Sequence, residues 1–435
     1  DGSYGVKAAA AKVAQIGTVT YETLADAIAA AKDGETVTLL ADITLEGQQL
    51  VIGADKSFTL DLNGKTLKVS KYTAKAAQVD VLGDLTLTDS SENKTGIICS
   101  DYTGTAGLVV CVESGGKLTM NGGTITTDGM AKAGNALKIA SGATVIMNAG
   151  TIKCDAKRGN RAVNITGSKT TGASFIMNGG SVVADEGDGT ETVIYAIMGS
   201  YYSTLVIGGS SRVSGPNAVD ASSSTTTISG GTFTGNIKVK AGSISGGTYD
   251  KAIDAKYCKD GFIPTRNEDG SYGVKPGTYV AETNGTKYES LAAAIEAAKA
   301  GETVTLLADI EQNSCLVINK DITLDLNGKK IYNTVDIWSD TAVSLISINS
   351  GAKVTITGNG TIKAKDNDCY TFNVVNGDLA IENGTFVGNV SVVQVQTGSL
   401  EIKGGKFSLA QKWEGKNTYL INCIDDNFAD GTAKV

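Results

Sequence analysis

At 435 residues and 41% apolar content, the chain carries enough hydrophobic side chains to bury the cores of two or three domains. Its formal net charge of −8, with only Arg158, Arg161, Arg212 and Arg266 as arginines, argues against a surface that neutralises nucleic-acid phosphates. Histidine is absent, which removes the commonest general base, the commonest zinc ligand and every Ser-His or Cys-His nucleophile pair. No apolar run approaches the length of a membrane span, so direct membrane insertion is not expected.

Glycine is abundant at 54 residues and proline scarce at 3, a balance that suits frequent turns between uninterrupted hydrogen-bond ladders. The chain opens with DGSYGVK, residues 1–7, and the same phrase returns at residues 269–275, where it ends GFIPTRNEDGSYGVK. Residues 1–7 therefore read as the exit strand of a preceding module. Residues 8–275 form a first module and 276–435 a second, expected to be cut short at its C-terminus. Export and anchor signals are expected outside this stretch.

Both modules begin alike, with YETLADAIAAAKDGETVTLLADI from Tyr21 and YESLAAAIEAAKAGETVTLLADI from Tyr288. Leu24, Ala27, Ile28 and Ala31 fall at i, i+3, i+4 and i+7, as do Leu291, Ala294, Ile295 and Ala298. This spacing predicts amphipathic helices near 23–33 and 290–300. Thr23 and Ser290 are the expected N-caps, and Gly34 and Gly301 the expected left-handed residues ending each helix. Alternation in TVTLLADI then predicts a strand, followed by FTLDLNGKTL from Phe58 and ITLDLNGKKI from Ile322.

A shorter repeat follows in each module: LTMNGGTI from Leu118, VIMNAGTI from Val145, FIMNGGSV from Phe175, then VTITGNGTI from Val354 and LAIENGTF from Leu379. Two short alternating strands flank a bend, and one such unit cannot bury its apolar face alone. Coils stacked about 4.8 Å apart would pair every strand with its neighbours and align the inward side chains into a narrow core. Asn121, Asn148 and Asn178 are expected to stack as a ladder, and the helix to cover the open end of the first coil.

These phrases, with the GGTF-type turns and the closing GFIPTRNEDGSYGVK, resemble the right-handed parallel β-helix, the pectate-lyase-like fold. The likeness is strongest to the repetitive surface proteins of gut bacteria that carry it. The resemblance covers nearly the whole chain. It implies an all-β solenoid of two tandem right-handed parallel β-helices, each with an N-terminal amphipathic capping helix. It also implies an extracellular, bacterial cell-surface location.

Pectate-lyase and polygalacturonase relatives of this fold use calcium-binding carboxylates with a basic residue, or clustered aspartates. Neither pattern transfers: Arg158 and Arg161 lack a lyase-type context, and Asp425 and Asp426 lack the accompanying motifs. The densest carboxylate cluster is Asp185, Glu186, Asp188 and Glu191, close to Tyr195, Tyr201 and Tyr202; acidic oxygens beside aromatic rings could stack a sugar or hold calcium. A milder cluster is Asp366, Asn367 and Asp368 before Tyr370. The seven cysteines, odd in number and widely spaced, read as free thiols, with Cys99 and Cys154 in the same phase two coils apart.

No catalytic residue, metal ligand or cofactor is assigned, calcium being the one ion considered. The function expected is a non-enzymatic adhesin or rigid stalk, a monomer that binds a glycan or a host surface protein. A polysaccharide lyase or glycoside hydrolase acting on acidic polysaccharide is the alternative.

Overall fold

A computed structural model describes residues 11–70, 77–102, 107–128, 130, 134–154, 161–185, 194–411 and 418–435. The chain divides into two compact units, Asp1–Pro276 and Gly277–Val435, each with its own apolar cluster. Both are all-β, with parallel strands stacked coil upon coil. The first seven residues lie outside the described residues.

In the first unit each coil contributes three strands in turn. The first face stacks Thr36–Leu39, Ser57–Asp61, Asp84–Thr88, Lys117–Met120 and their successors in parallel register, down to Thr225–Ile228. Successive side chains of a strand point to opposite sides, so one parity is buried throughout. Val37, Leu60, Leu87, Met120, Met147, Met177, Ile207 and Ile228 are paired coil to coil in one such inward column. All eight are buried. A second face carries the column Ile43, Leu67, Ile98, Ile125, Ile152, Val182, Val213, Phe233 and Tyr249. A third face continues from Leu50–Ile52 through Val79–Val81 and Gly107–Val112 to Gly134–Ile139.

The second unit repeats this plan with fewer coils. Val304, Leu324, Ile356, Ile381 and Ile402 form one column, and Ile310, Ile331, Ile362, Phe386 and Phe407 another.

The opening helices span Leu24–Ala30 and Leu291–Ala297. The Thr23 and Ser290 hydroxyls accept from the Asp26 and Ala293 N–H groups, the N-cap geometry expected of them. The C-terminal ends differ from expectation. Ala31 and Ala298 end the helices in extended conformation, and Gly34 and Gly301 (φ +78° and +82°) instead sit in a following turn closed by Glu35 N–H to Lys32 O and Glu302 N–H to Lys299 O. The helix carbonyls are met by a lysine from the next coil: Lys56 Nζ donates to Ala29 O and Ala31 O, and Lys320 Nζ to Glu296 O and Ala298 O.

The helix is not alone at the first coil. The hairpin Ala14–Ile16 with Val19–Tyr21 lies antiparallel against Thr36–Leu39 and takes up its edge, while the helix packs its apolar side on the same cluster. Ala281–Thr283 with Thr286–Tyr288 does the same for Glu302–Leu306. At the far end of the first unit, the closing phrase forms a second hairpin, Phe262–Arg266 with Tyr272–Pro276, antiparallel to Thr248–Tyr249. The copy of the GSYGVK phrase at residues 270–275 thus supplies an edge-closing strand.

The LDLNGK phrase locks the first two coils. Asn63 and Gly64 take left-handed conformations (φ 47° and 73°), as do Asn327 and Gly328 (45° and 74°). Asn63 Nδ2 then donates to Leu39 O at 2.9 Å and Asn327 Nδ2 to Leu306 O at 3.0 Å, one coil back. In the MNGG turns the asparagine side chains bond to one another rather than to a backbone carbonyl: Asn148 Nδ2 donates to Asn121 Oδ1 at 2.8 Å and Asn178 Nδ2 to Asn148 Oδ1 at 2.9 Å. The expected ladder is present.

The cysteine phase is corrected by register. Ile98, not Ile97, pairs with Ile125 and hence with Ile152. Cys99 consequently shares the outward parity of Lys68 and Lys153, while Cys154 is buried and pairs with Ala184. One residue of slip moves a side chain to the other side of its strand. All seven cysteines are free thiols.

Candidate functional site

The predicted acidic and aromatic cluster is only partly within the described residues, because Glu186, Asp188 and Glu191 lie outside them. Asp185 follows the second-face strand Ser181–Ala184 and pairs with Lys153 at 3.2 Å. Tyr195 starts the next third-face strand, Tyr195–Gly199, with the Arg161 guanidinium 5.9 Å from its ring centre. Tyr201 and Tyr202 follow at the other end of that strand, about 20 Å away along an extended chain, 68% and 56% exposed. Asp185 follows one strand and Tyr195 opens the next, whereas Tyr201 and Tyr202 lie beyond the far end of that second strand.

The milder cluster leads to a better-formed site in the second unit. The strand Lys330–Tyr332 pairs in parallel with Thr361–Lys363, and because Ile331 and Ile362 point inward, Lys330, Tyr332, Thr361 and Lys363 face outward. Together with Asn333, Lys365 and Asp366 they line a groove of about 610 Å³. Asp309 closes one side, where its Oδ1 accepts from the Lys330 backbone N–H at 2.9 Å.

No family model, curated protein or solved structure matches this chain. The chemistry of the groove must therefore be read from its own residues.

Asp368 does not face a ligand. It is buried and accepts from Asn333 Nδ2 at 2.6 Å and from the Ile337 and Trp338 N–H groups at 3.0 and 2.9 Å. It thereby fixes the loop that leaves the groove at Asn333 and carries Trp338. Trp338 is 50% exposed and meets the Tyr370 ring edge-on at 5.2 Å. Burial pushes the Tyr370 hydroxyl above its ordinary pKa, so it stays protonated.

Two of the groove lysines are held by carboxylates, Lys363 by Asp366 at 3.2 Å and Lys365 by Asp336 at 2.6 Å. The Asp336 contact raises the Lys365 ammonium above its usual range. Lys365 is further set by its backbone N–H, which donates to Asn333 Oδ1 at 2.7 Å. The arrangement offers ammonium donors and a phenol on a floor of paired strands, with an exposed indole on the adjoining loop, while the buried Asn333 amide is spent on Val335, Asp368 and Lys365. These groups suit hydroxyl and carboxylate recognition.

Sequence reading pointed to Asp366 and Asp368 but not to Lys330, Tyr332 or Lys363. Lys330 and Tyr332 lie 36 and 34 positions before Asp366 and meet that phrase only through coil register, whereas Lys363 lies three before it. The usable signal was their outward parity on consecutive strands.

Proposed function

We propose that the chain is a non-enzymatic cell-surface module, built of two tandem right-handed parallel β-helices, that acts as an adhesin or rigid stalk and holds a glycan or a host protein. The observation that carries this reading is the groove of the second unit, where Lys330, Tyr332, Lys363 and Lys365 gather on one outward face of an otherwise acidic chain. Ammonium groups there favour an acidic glycan over a neutral one, and Tyr332 and Trp338 give sugar rings an apolar face to stack on. The floor consists of paired strands, so binding orders little of the protein and loses little entropy.

A glycan array carrying uronic-acid and sialylated oligosaccharides tests the reading. Wild-type chain is expected to bind acidic members, and Tyr332→Ala and Lys363→Ala to weaken that binding about tenfold or more, with the ligand recovered uncleaved. Unchanged binding by both variants would remove the groove from the proposal. Release of unsaturated or reducing ends from an acidic polysaccharide would replace it with the lyase or hydrolase alternative.

A further inference from the structure

The first unit holds a second chemically distinct cluster, on its third face. Cys111 lies on Gly107–Val112 and is directly paired with Asp80 on the coil before it. Glu113 follows two residues after Cys111, which returns its side chain to the same side of the chain. The Cys111 sulfur and one carboxylate oxygen each of Asp80 and Glu113 lie within 4.8 Å of one another.

One observation shows that the cluster is not fully satisfied by the protein alone. Asp80 Oδ1 is sealed from solvent and has no hydrogen-bond partner, although Oδ2 accepts from Gln49 Nε2. An orphaned carboxylate oxygen inside a protein is costly, and an ion is one of the few things that removes the cost. Separately, Cys111 is fully buried against two carboxylates. Burial, then the hydrogen bond and charge of Glu113, push its thiol well above the ordinary range. Burial and Glu113 likewise raise Asp80. Lys138, paired with Cys111 from the following coil, lowers both pKa values but does not offset these effects.

We propose that Asp80, Cys111 and Glu113 bind one divalent cation of the zinc class. Tetrahedral bonds of about 2.0–2.3 Å separate ligand atoms by roughly 3.3–3.8 Å, so the three donors need close only slightly. A thiolate and three protein donors suit a borderline or soft ion rather than calcium, which takes six to eight oxygens. Gln49 Nε2 also donates to Ala77 O at 2.8 Å and so orients the Asp80 carboxylate from behind. Binding balances as thiol plus M²⁺ giving metal thiolate plus a proton released to solvent, and affinity rises with pH.

Chelator-treated full chain is titrated with Zn²⁺ by calorimetry in two buffers of different ionisation heat, and with Cd²⁺ while following sulfur-to-metal absorption in the ultraviolet. One ion per chain and about one released proton are expected, with the Cd²⁺ band absent in Cys111→Ser. Glu113→Gln and Gln49→Ala are expected to weaken binding about tenfold or more. No heat and no absorption band would overturn the proposal. So would a band that persists in Cys111→Ser, since another cysteine would then hold the ion. If Cys111→Ser fails to give a native circular dichroism spectrum, Glu113→Gln decides: wild-type affinity in that variant also overturns the proposal.

Discussion

Phe175→Ala should unfold the first unit early and leave the second unit untouched. Phe175 is fully buried between Val145 and Leu205 of the neighbouring coils. Rigid stacked strands cannot collapse into the space left behind, so the loss lies in the usual range for such truncations, about 3–5 kcal/mol. With a urea m-value at or somewhat above about 3 kcal/mol/M, the midpoint falls by about 1 M. The assay is built into the chain, because both tryptophans, Trp338 and Trp413, belong to the unit Gly277–Val435. Tryptophan fluorescence reports that unit alone, while far-ultraviolet circular dichroism reports both. The expected result is an earlier dichroism transition with an unmoved fluorescence transition. Tyr201→Ala, at a residue 68% exposed, serves as control and should change stability by no more than about 0.5 kcal/mol. A fluorescence midpoint that falls in step with the dichroism midpoint would refute the reasoning that the two apolar clusters are separate cooperative cores.

Asp89 should make stability pH-dependent. Burial pushes its carboxyl up, but the N–H groups of Gly96, Ser91 and Gly64 outweigh that and hold it below the ordinary carboxylate range. A depressed folded-state pKa contributes stability that is present above the unfolded-state value and lost as pH falls through the folded-state value. The gap in denaturation free energy between wild type and Asp89→Asn should therefore be widest near neutral pH and close on acidification. In the asparagine ladder, Asn148→Ala removes two side-chain bonds and Asn178→Ala one, so chemical denaturation should show a larger loss for Asn148→Ala, each bond accounting for about 1 kcal/mol or less at these exposed positions.

The repeating parts of the fold were legible because each carries a period. Leu24, Ala27, Ile28 and Ala31 mark one side of a helix, and the alternation of LTMNGGTI marks an inward and an outward side of a strand. The parts that close the stack were not. The hairpin Ala14–Tyr21 uses strands of three residues, too short for alternation to register, and helix and hairpin share a task that periodicity assigned to the helix alone. Cys99 shows the other limit: IICS offers two adjacent isoleucines, and only pairing with Ile125 tells which faces the core. The sites were less legible still. Asp80 and Cys111 are 31 positions apart, and Tyr332 and Lys363 are equally distant, yet each pair meets directly through one coil of register. Separations of that kind follow from the number of residues in the intervening loops, which sequence pattern does not constrain.

The shared opening and the variable number of coils behind it give the architecture a property of scale. Among the described residues, eight parallel strands stack on the first face of the first unit and six on the equivalent face of the second, behind the same hairpin, helix and lysine latch. At about 4.8 Å per coil, the two further coils amount to about 10 Å. Duplication of one coil would lengthen a unit by a fixed step while the closing elements at its ends go unaltered. Reach is then a quantity adjusted in increments of a single strand spacing, independently of whatever side chains a given coil displays.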